Sequence, residues 1–152
     1  MRDNLDALFT HAKEGIIISK KSGEIEMINP EAENQFGYLK SELIGRNISS
    51  LFFSGESGRR TAIKLNGSAH HDGANKGRER VGRKKDGSEF PVEITTSNYL
   101  LVDAEFEVAF TINISERKKQ EEEIRHSHEE LKQYSKILKE TNEELENFAY
   151  IS

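Results

Sequence analysis

From Ser115 to its end this chain contains neither glycine nor proline, and 17 of those 38 residues are charged. All 11 glycines and both prolines lie upstream. A stretch without breakers, rich in Glu, Lys and Arg, can hardly fold as anything but one long helix. Ile124, Leu131, Leu138 and Leu145 recur along it every seven residues. Ser127, Tyr134, Thr141 and Phe148 follow each by three, completing a heptad seam of alternating strong and weak layers. A helix from Glu116 to Ser152 would run about 55 Å at ~1.5 Å per residue. Its apolar stripe needs a partner, because burying a large side chain is worth about 1.5–3 kcal/mol. Pairing with a second copy supplies one, and the seam residues Ile124, Leu131, Tyr134, Leu138, Leu145 and Phe148 are therefore expected to join two chains.

The upstream part carries the signals of a small mixed domain. Leu5, Leu8, Phe9 and Ala12 fall on one face of a short amphipathic helix. Ile16 to Ile18 and the alternation Glu24-Ile25-Glu26-Met27, split by Lys20-Lys21-Ser22-Gly23, read as a strand hairpin. Asn29-Pro30 then supplies a helix cap and first helical residue, and Gly37 ends that helix. Ser41 is placed to cap a further turn closing at Gly45. Between Ser54 and Gly77 the pattern gives one short helix around Arg59 to Leu65 and then a loop. Arg78 to Lys84, the Asp86-Gly87 turn and the alternating Phe90, Val92, Ile94 form the clearest hairpin signal, with Pro91 suited to an edge or a strand start. A turn around Asp103-Ala104-Glu105 leads to a last strand expected to bury Val108, Phe110, Ile112 and Ile114. The order predicts an α+β domain: an antiparallel sheet of about five strands with short helices on one side.

Three separated motifs resemble the PAS domain family. Asn29-Pro30-Glu31-Ala32, Gly37-Tyr38 and Ser41-Glu42-Leu43-Ile44-Gly45 are similar to its first half. Arg83-Lys84-Lys85-Asp86-Gly87-Ser88-Glu89-Phe90-Pro91-Val92-Glu93 is similar to its late hairpin. Asn113-Ile114-Ser115-Glu116-Arg117-Lys118 resembles the Asp-Ile-Thr-Glu-Arg-Lys segment that closes such domains, with Asn113 in place of the aspartate. An aspartate there could latch a neighbouring cation, whereas an asparagine makes a weaker neutral bond. The tail from Asn142 to Ser152 resembles the lead-in to the phosphoacceptor helix of sensor histidine kinases. Together these imply three parts: an N-terminal helix over 1–14, a PAS fold over 15–115 and a coiled-coil signalling helix over 116–152. The resemblance implies a parallel homodimer, a relay through Asn113, Ser115 and Arg117, and a response regulator reached through the parent kinase. The alternatives are a non-sensing dimerisation spacer, or the same sensor joined to another output such as a cyclic-dinucleotide enzyme.

PAS domains commonly hold a ligand between sheet and helices, so Phe36, Leu43, Ile48, Phe52, Ile63, Ile94, Phe110 and Ile112 are candidate lining residues. Alternating apolar residues serve a core as readily as a pocket, and the ligand stays unknown. The chain has no cysteine. A flavin–cysteinyl adduct and a thioester-linked chromophore are thereby excluded, along with thiolate metal sites. Haem is disfavoured: no histidine lies between Thr10 and Ala69 except His11, whereas the haem sensors of the family supply one near the position of Gly58-Arg59. Adjacent His70 and His71 would point apart in a Gly-rich stretch, and His126 and His128 lie two apart on an expected helix, so no metal site is expected. No phosphate-binding loop, HExxH or GxSxG motif occurs, so no catalytic residue is assigned. A formal charge of −5 argues against nucleic acid as a partner. No uninterrupted apolar run exceeds four residues, so neither a membrane span nor a signal-peptide core is expected, and the cytoplasm is the default location.

Overall fold

The computed structural model describes residues 2–54, 61–62 and 77–151. The chain divides into two units, Met1–Ser115 and Glu116–Ser152. The first unit is an antiparallel sheet with helices, ordered α1 (Arg2–His11), β1 (Gly15–Lys20), β2 (Ile25–Ile28), α2 (Pro30–Phe36) and α3 (Lys40–Leu43). A 3-10 turn over Ile48–Leu51 follows, then β3 (Phe52–Ser54), β4 (Thr61–Ala62), β5 (Arg78–Arg83), β6 (Glu89–Leu101) and β7 (Ala104–Asn113). Across the sheet the order is β2-β1-β7-β6-β5-β3-β4. The expected strands are β2, β1, β7, β6 and β5; two short ones, β3 and β4, extend the sheet beyond them. Thr61 and Ala62 pair with Ser54 and Phe53, so the helix expected around Arg59 to Leu65 gives way there to strand. The rest of that segment lies outside the described residues.

Local chemistry accounts for the helices. Asn29 caps α2, its Oδ1 accepting from Ala32 N at 3.0 Å, and Pro30 occupies the first position, where a missing N–H costs nothing. Gly37 closes α2 in the left-handed region at φ 72°. Helix α3 starts one residue before Ser41, after Leu39, whose N–H donates to Glu42 Oε2 at 2.9 Å. In α1 the amphipathic reading holds only in part. Phe9 and Ala12 are half-buried, but Leu5 and Leu8 remain 66% and 71% exposed.

The core lies between the sheet and α2, α3 and the 3-10 turn. Ile17, Ile25, Ile28, Ala32, Phe36, Leu43, Ile48, Leu51, Phe52, Phe90, Val92, Ile94 and Ala109 form one buried cluster. Pro91 stands third in β6, and β7 pairs with that strand from Val92 onward. The missing N–H therefore falls near the strand start, as its chemistry requires. The helix α4, Ser115–Ile151, makes up the second unit from Glu116 onward, and its residues are exposed from Ser115 to Ala149.

Candidate functional site

The inner face of the sheet is built around three aromatic rings. Phe36 meets Phe52 edge-on, centroids 5.3 Å apart and planes at 89°, and meets Phe90 at 5.3 Å and 64°. Gly82 in β5 makes this possible: a Cβ there would stand 2.7 Å from Phe90 Cζ and 3.2 Å from Phe36 Cε1. Of the eight candidate lining residues, Phe36, Leu43, Ile48, Phe52 and Ile94 join this buried cluster. Ile63 lies outside the described residues. Phe110 and Ile112 face the other way.

That reversal corrects the expected phase of the last strand. Ala109 and Thr111 are fully buried against the helices, Phe110 is only half-buried, and Ile112 is 38% exposed. The reason is close approach. An added Cβ at Gly15 would sit 3.2 Å from Ala32 Cα and would collide with the Thr111 hydroxyl oxygen. At Gly15 and Thr111, where α2 presses closest on the sheet, only small side chains fit; Ile17 still buries inward beside Ala109, while Phe110 and Ile112 turn outward. There Ile16 pairs with Phe110, and Ile18 with Val108 and Met27, each shielding its neighbour from water.

At the same contact runs a buried polar network that hydrophobic patterning does not reveal. Thr111 donates its hydroxyl to Gln35 Oε1 at 2.9 Å, and Gln35 Nε2 donates to the Thr111 carbonyl at 3.2 Å. Asn29 accepts from Ile16 N at 2.7 Å and donates to the carbonyls of Phe9 and Glu14 at 3.1 and 2.9 Å. One capping residue thus ties the end of α1, the start of β1 and the start of α2. The Asn-Pro dipeptide was the only sequence signal of this junction; Gln35 had none.

The exit from the domain is short and bonded on both sides. Asn113 Oδ1 accepts from Ser115 N at 3.0 Å and from Ser115 Oγ at 2.6 Å, holding the first helical residue of α4. Between them Ile114 is 1% exposed and donates its N–H to the Pro91 carbonyl at 3.0 Å. Arg117 Nε lies 3.9 Å from Glu121 Oε1 along α4. Asn113 and Ser115 are therefore brought together, and Arg117 lies near Glu121 one turn further along α4. The burial expected of Ile114 is thus observed, and its backbone bond to Pro91 is what the sequence did not show.

On α4 the seam residues share exposure: Ile124 70%, Leu131 68%, Tyr134 70%, Leu138 55%, Leu145 62% and Phe148 76%. Ile137, beside the seam, is 61% exposed as well. The flanking polar groups meet within the helix, Arg125 pairing with Glu122 and His126 Nδ1 lying 3.5 Å from Glu130 Oε1. The Glu122 carboxyl is held below its ordinary value, chiefly by the Arg125 hydrogen bond. Among the described residues no group of three or more His, Asp or Glu could hold a metal ion, and none of the helices is long and apolar enough to cross a membrane.

The profile of the PAS domain matches residues 13–116. The chain belongs to the PAS domain family. Solved structures agree with the fold. The PAS domain of an HTR-like protein from Haloarcula marismortui is 23% identical with a TM-score of 0.59, covering 74% of this chain and 91% of that one. The PAS domain of nitrogen regulation protein NR(II) from Vibrio parahaemolyticus is 16% identical with a TM-score of 0.58, covering 72% and 97%. A PAS domain from a two-component sensor histidine kinase is 15% identical with a TM-score of 0.56, covering 74% and 95%. This PAS domain thus has relatives in fold among sensor histidine kinases, and a signal-sensing domain is its coarse description.

Proposed function

We propose that this chain is the sensing and relay module of a cytoplasmic two-component histidine kinase, acting as a parallel homodimer through α4. The observation that carries the reading is the unbroken passage from β7 through the bonded Asn113–Ser115 exit into a 37-residue helix with an exposed heptad seam. Such a seam has nowhere to bury its apolar side chains except against another helix. A ligand or partner that repacks the inner face would shift β7, whose end sets the first turn of α4 through Asn113, Ser115 and Arg117. The downstream phosphoacceptor histidine would then meet its catalytic domain differently, and a response regulator would read the change. Any such ligand biases the output only by its differential affinity for two arrangements. Ser127 and Thr141 weaken their layers, which suits a helix pair with two packings of similar energy.

A second reading, a PAS dimerisation spacer with no ligand, is supported by the edge-to-face packing of Phe36 with Phe52 and Phe90. Native mass spectrometry of the whole chain at micromolar concentration separates the cases. A dimer carrying a small molecule supports sensing, and a ligand-free dimer supports the spacer. Changing Leu131 and Leu138 together to Glu is expected to give monomers; an unchanged dimer mass would overturn α4 as the joint.

A further inference from the structure

We infer that Glu123 of each copy meets His128 of the other in the α4 pair, and that this contact makes the pairing tighten as the solution is acidified. The inference rests on the parallel α4 dimer proposed above and adds its regulation. With Ile124 and Leu131 at the a positions of the seam and Ser127 and Tyr134 at d, Glu123 stands at g and His128 at e of the following heptad. In a parallel, in-register pair a g residue lies beside the next e residue of the other helix, and such flanking contacts set partner and orientation. Both Glu123 and His128 are exposed on α4 and so are accessible to a second helix.

Between Glu116 and Ala149 this is the only g–e contact in which opposite charges can meet. One heptad earlier Glu116 faces Glu121, two acids, and the contacts that follow bring no two charges together. The two-fold axis of a homodimer makes the Glu123–His128 contact twice. Antiparallel helices set g against g and e against e, and Glu123 would then miss His128.

The sign follows from what association changes. Histidine gains its charge between about pH 8 and pH 5, a window in which carboxylates stay ionised. Within its own helix His128 has Arg125 and Lys132 one turn away on either side, and Arg125 is paired with Glu122. Glu123 has Lys119 and His126 at the same spacings. These neighbours are present in the single helix and in the pair alike. The carboxylate of Glu123 from the second copy is the charge that arrives only on association, so protonated His128 favours the dimer. His126 occupies a c position outside the seam, 3.5 Å from Glu130 of its own helix, and its charge acts within one chain.

The test measures the dimer dissociation constant of the whole chain by sedimentation equilibrium at about pH 7.5 and about pH 6, in low salt, where exposed pairs are least screened. Exposed pairs are weak, so the expected tightening at the lower pH is about threefold. Glu123→Gln and His128→Gln are each expected to abolish it, and His126→Gln to leave it. Glu123→Lys is expected to reverse it, the dimer then loosening on acidification. A native dimer whose constant ignores pH would overturn the inference and leave the α4 reading standing. So would tightening that survives Glu123→Gln or His128→Gln, that disappears with His126→Gln, or that Glu123→Lys leaves unreversed. A chain monomeric at every concentration, or a dimer untouched by Leu131→Glu with Leu138→Glu, would overturn the α4 pairing and this contact together.

Discussion

Gln35 and Thr111 hold each other by two hydrogen bonds inside a region with almost no exposure to water. Removing one partner of a buried bond leaves the other desolvated and unpaired, which costs about 1–3 kcal/mol. Thr111→Val keeps the shape and removes the donor, so chemical denaturation should show a loss of about that size, whereas Thr111→Ser should lose much less. Equal stability of the valine variant and the native chain would mean that the hydroxyl bond contributes nothing. At the surface, Lys85 Nζ donates to Glu42 Oε1 at 2.5 Å, tying α3 to the β5–β6 turn. This bond, and then the Leu39 N–H, holds the Glu42 carboxyl below its ordinary 4.5. A depressed acid stabilises the fold above its unfolded pKa, and that stability is lost as pH falls through the lower folded value. The contribution of this pair is therefore lost below pH 4.5. Lys85→Met should move the Glu42 titration, followed by carboxyl NMR, back up toward the ordinary value; an unmoved midpoint would show that Lys85 is not the cause.

Among the elements, α2 is the one most tightly written into the sequence. Its cap, its proline and its left-handed Gly37 are local signals, and local signals survive folding. Asn29 has more to do than end a helix, however, because its amide also bonds the carbonyls of Phe9 and Glu14. Asn29→Ala should therefore cost about 2 kcal/mol or more, at or above the top of the range for a cap alone, and should speed exchange at the Ile16 amide. An exchange rate unchanged at Ile16 would confine the role of Asn29 to α2. The five longer strands were legible in order, from the turns at Gly23 and Asp86-Gly87 and the alternation along β6, whereas the short β3 and β4 were not. Nor was the inward face of β7. Alternation gives two faces without saying which is buried, and the larger residues made the wrong one attractive. What decides is the distance of α2 from the sheet at Gly15, a property of the assembled fold that no window of sequence contains. Likewise Gln35 became part of the candidate site only through a strand 76 residues away. Ile114 is buried as expected although Phe110 and Ile112 are not, because the chain changes face as it leaves the sheet, between the exposed Asn113 and the exposed Ser115.

For the molecule as a whole, the two units rest on different physics. The PAS unit is held by a contiguous core of its own. The described side chains of α4 are exposed, so on the proposed pairing its order depends on how many copies are present. Heating the native chain over a hundredfold range of concentration should therefore raise the melting temperature of the helical signal, as mass action requires of an associating fold. In the Leu131→Glu, Leu138→Glu chain that dependence should vanish while the PAS transition stays. A melting temperature of the native chain that ignores concentration would show that α4 does not associate. The same comparison distinguishes loss of association from loss of the domain, since the sheet and helix signals are separable.

The turn that joins β6 to β7 has one further consequence. Val102 and Asp103 both adopt positive φ, 44° and 62°, and Val102 is 90% exposed. The mirror-image turn they make suits the twist of a hairpin, but it is the natural seat of asparagine or glycine, and a β-branched residue strains against it. Val102→Asn should therefore strengthen the protein by about 1 kcal/mol, a gain achieved by removing discomfort rather than by adding a contact. The tip of this arm is thus a spare reserve of robustness, left undrawn by the sequence as it stands.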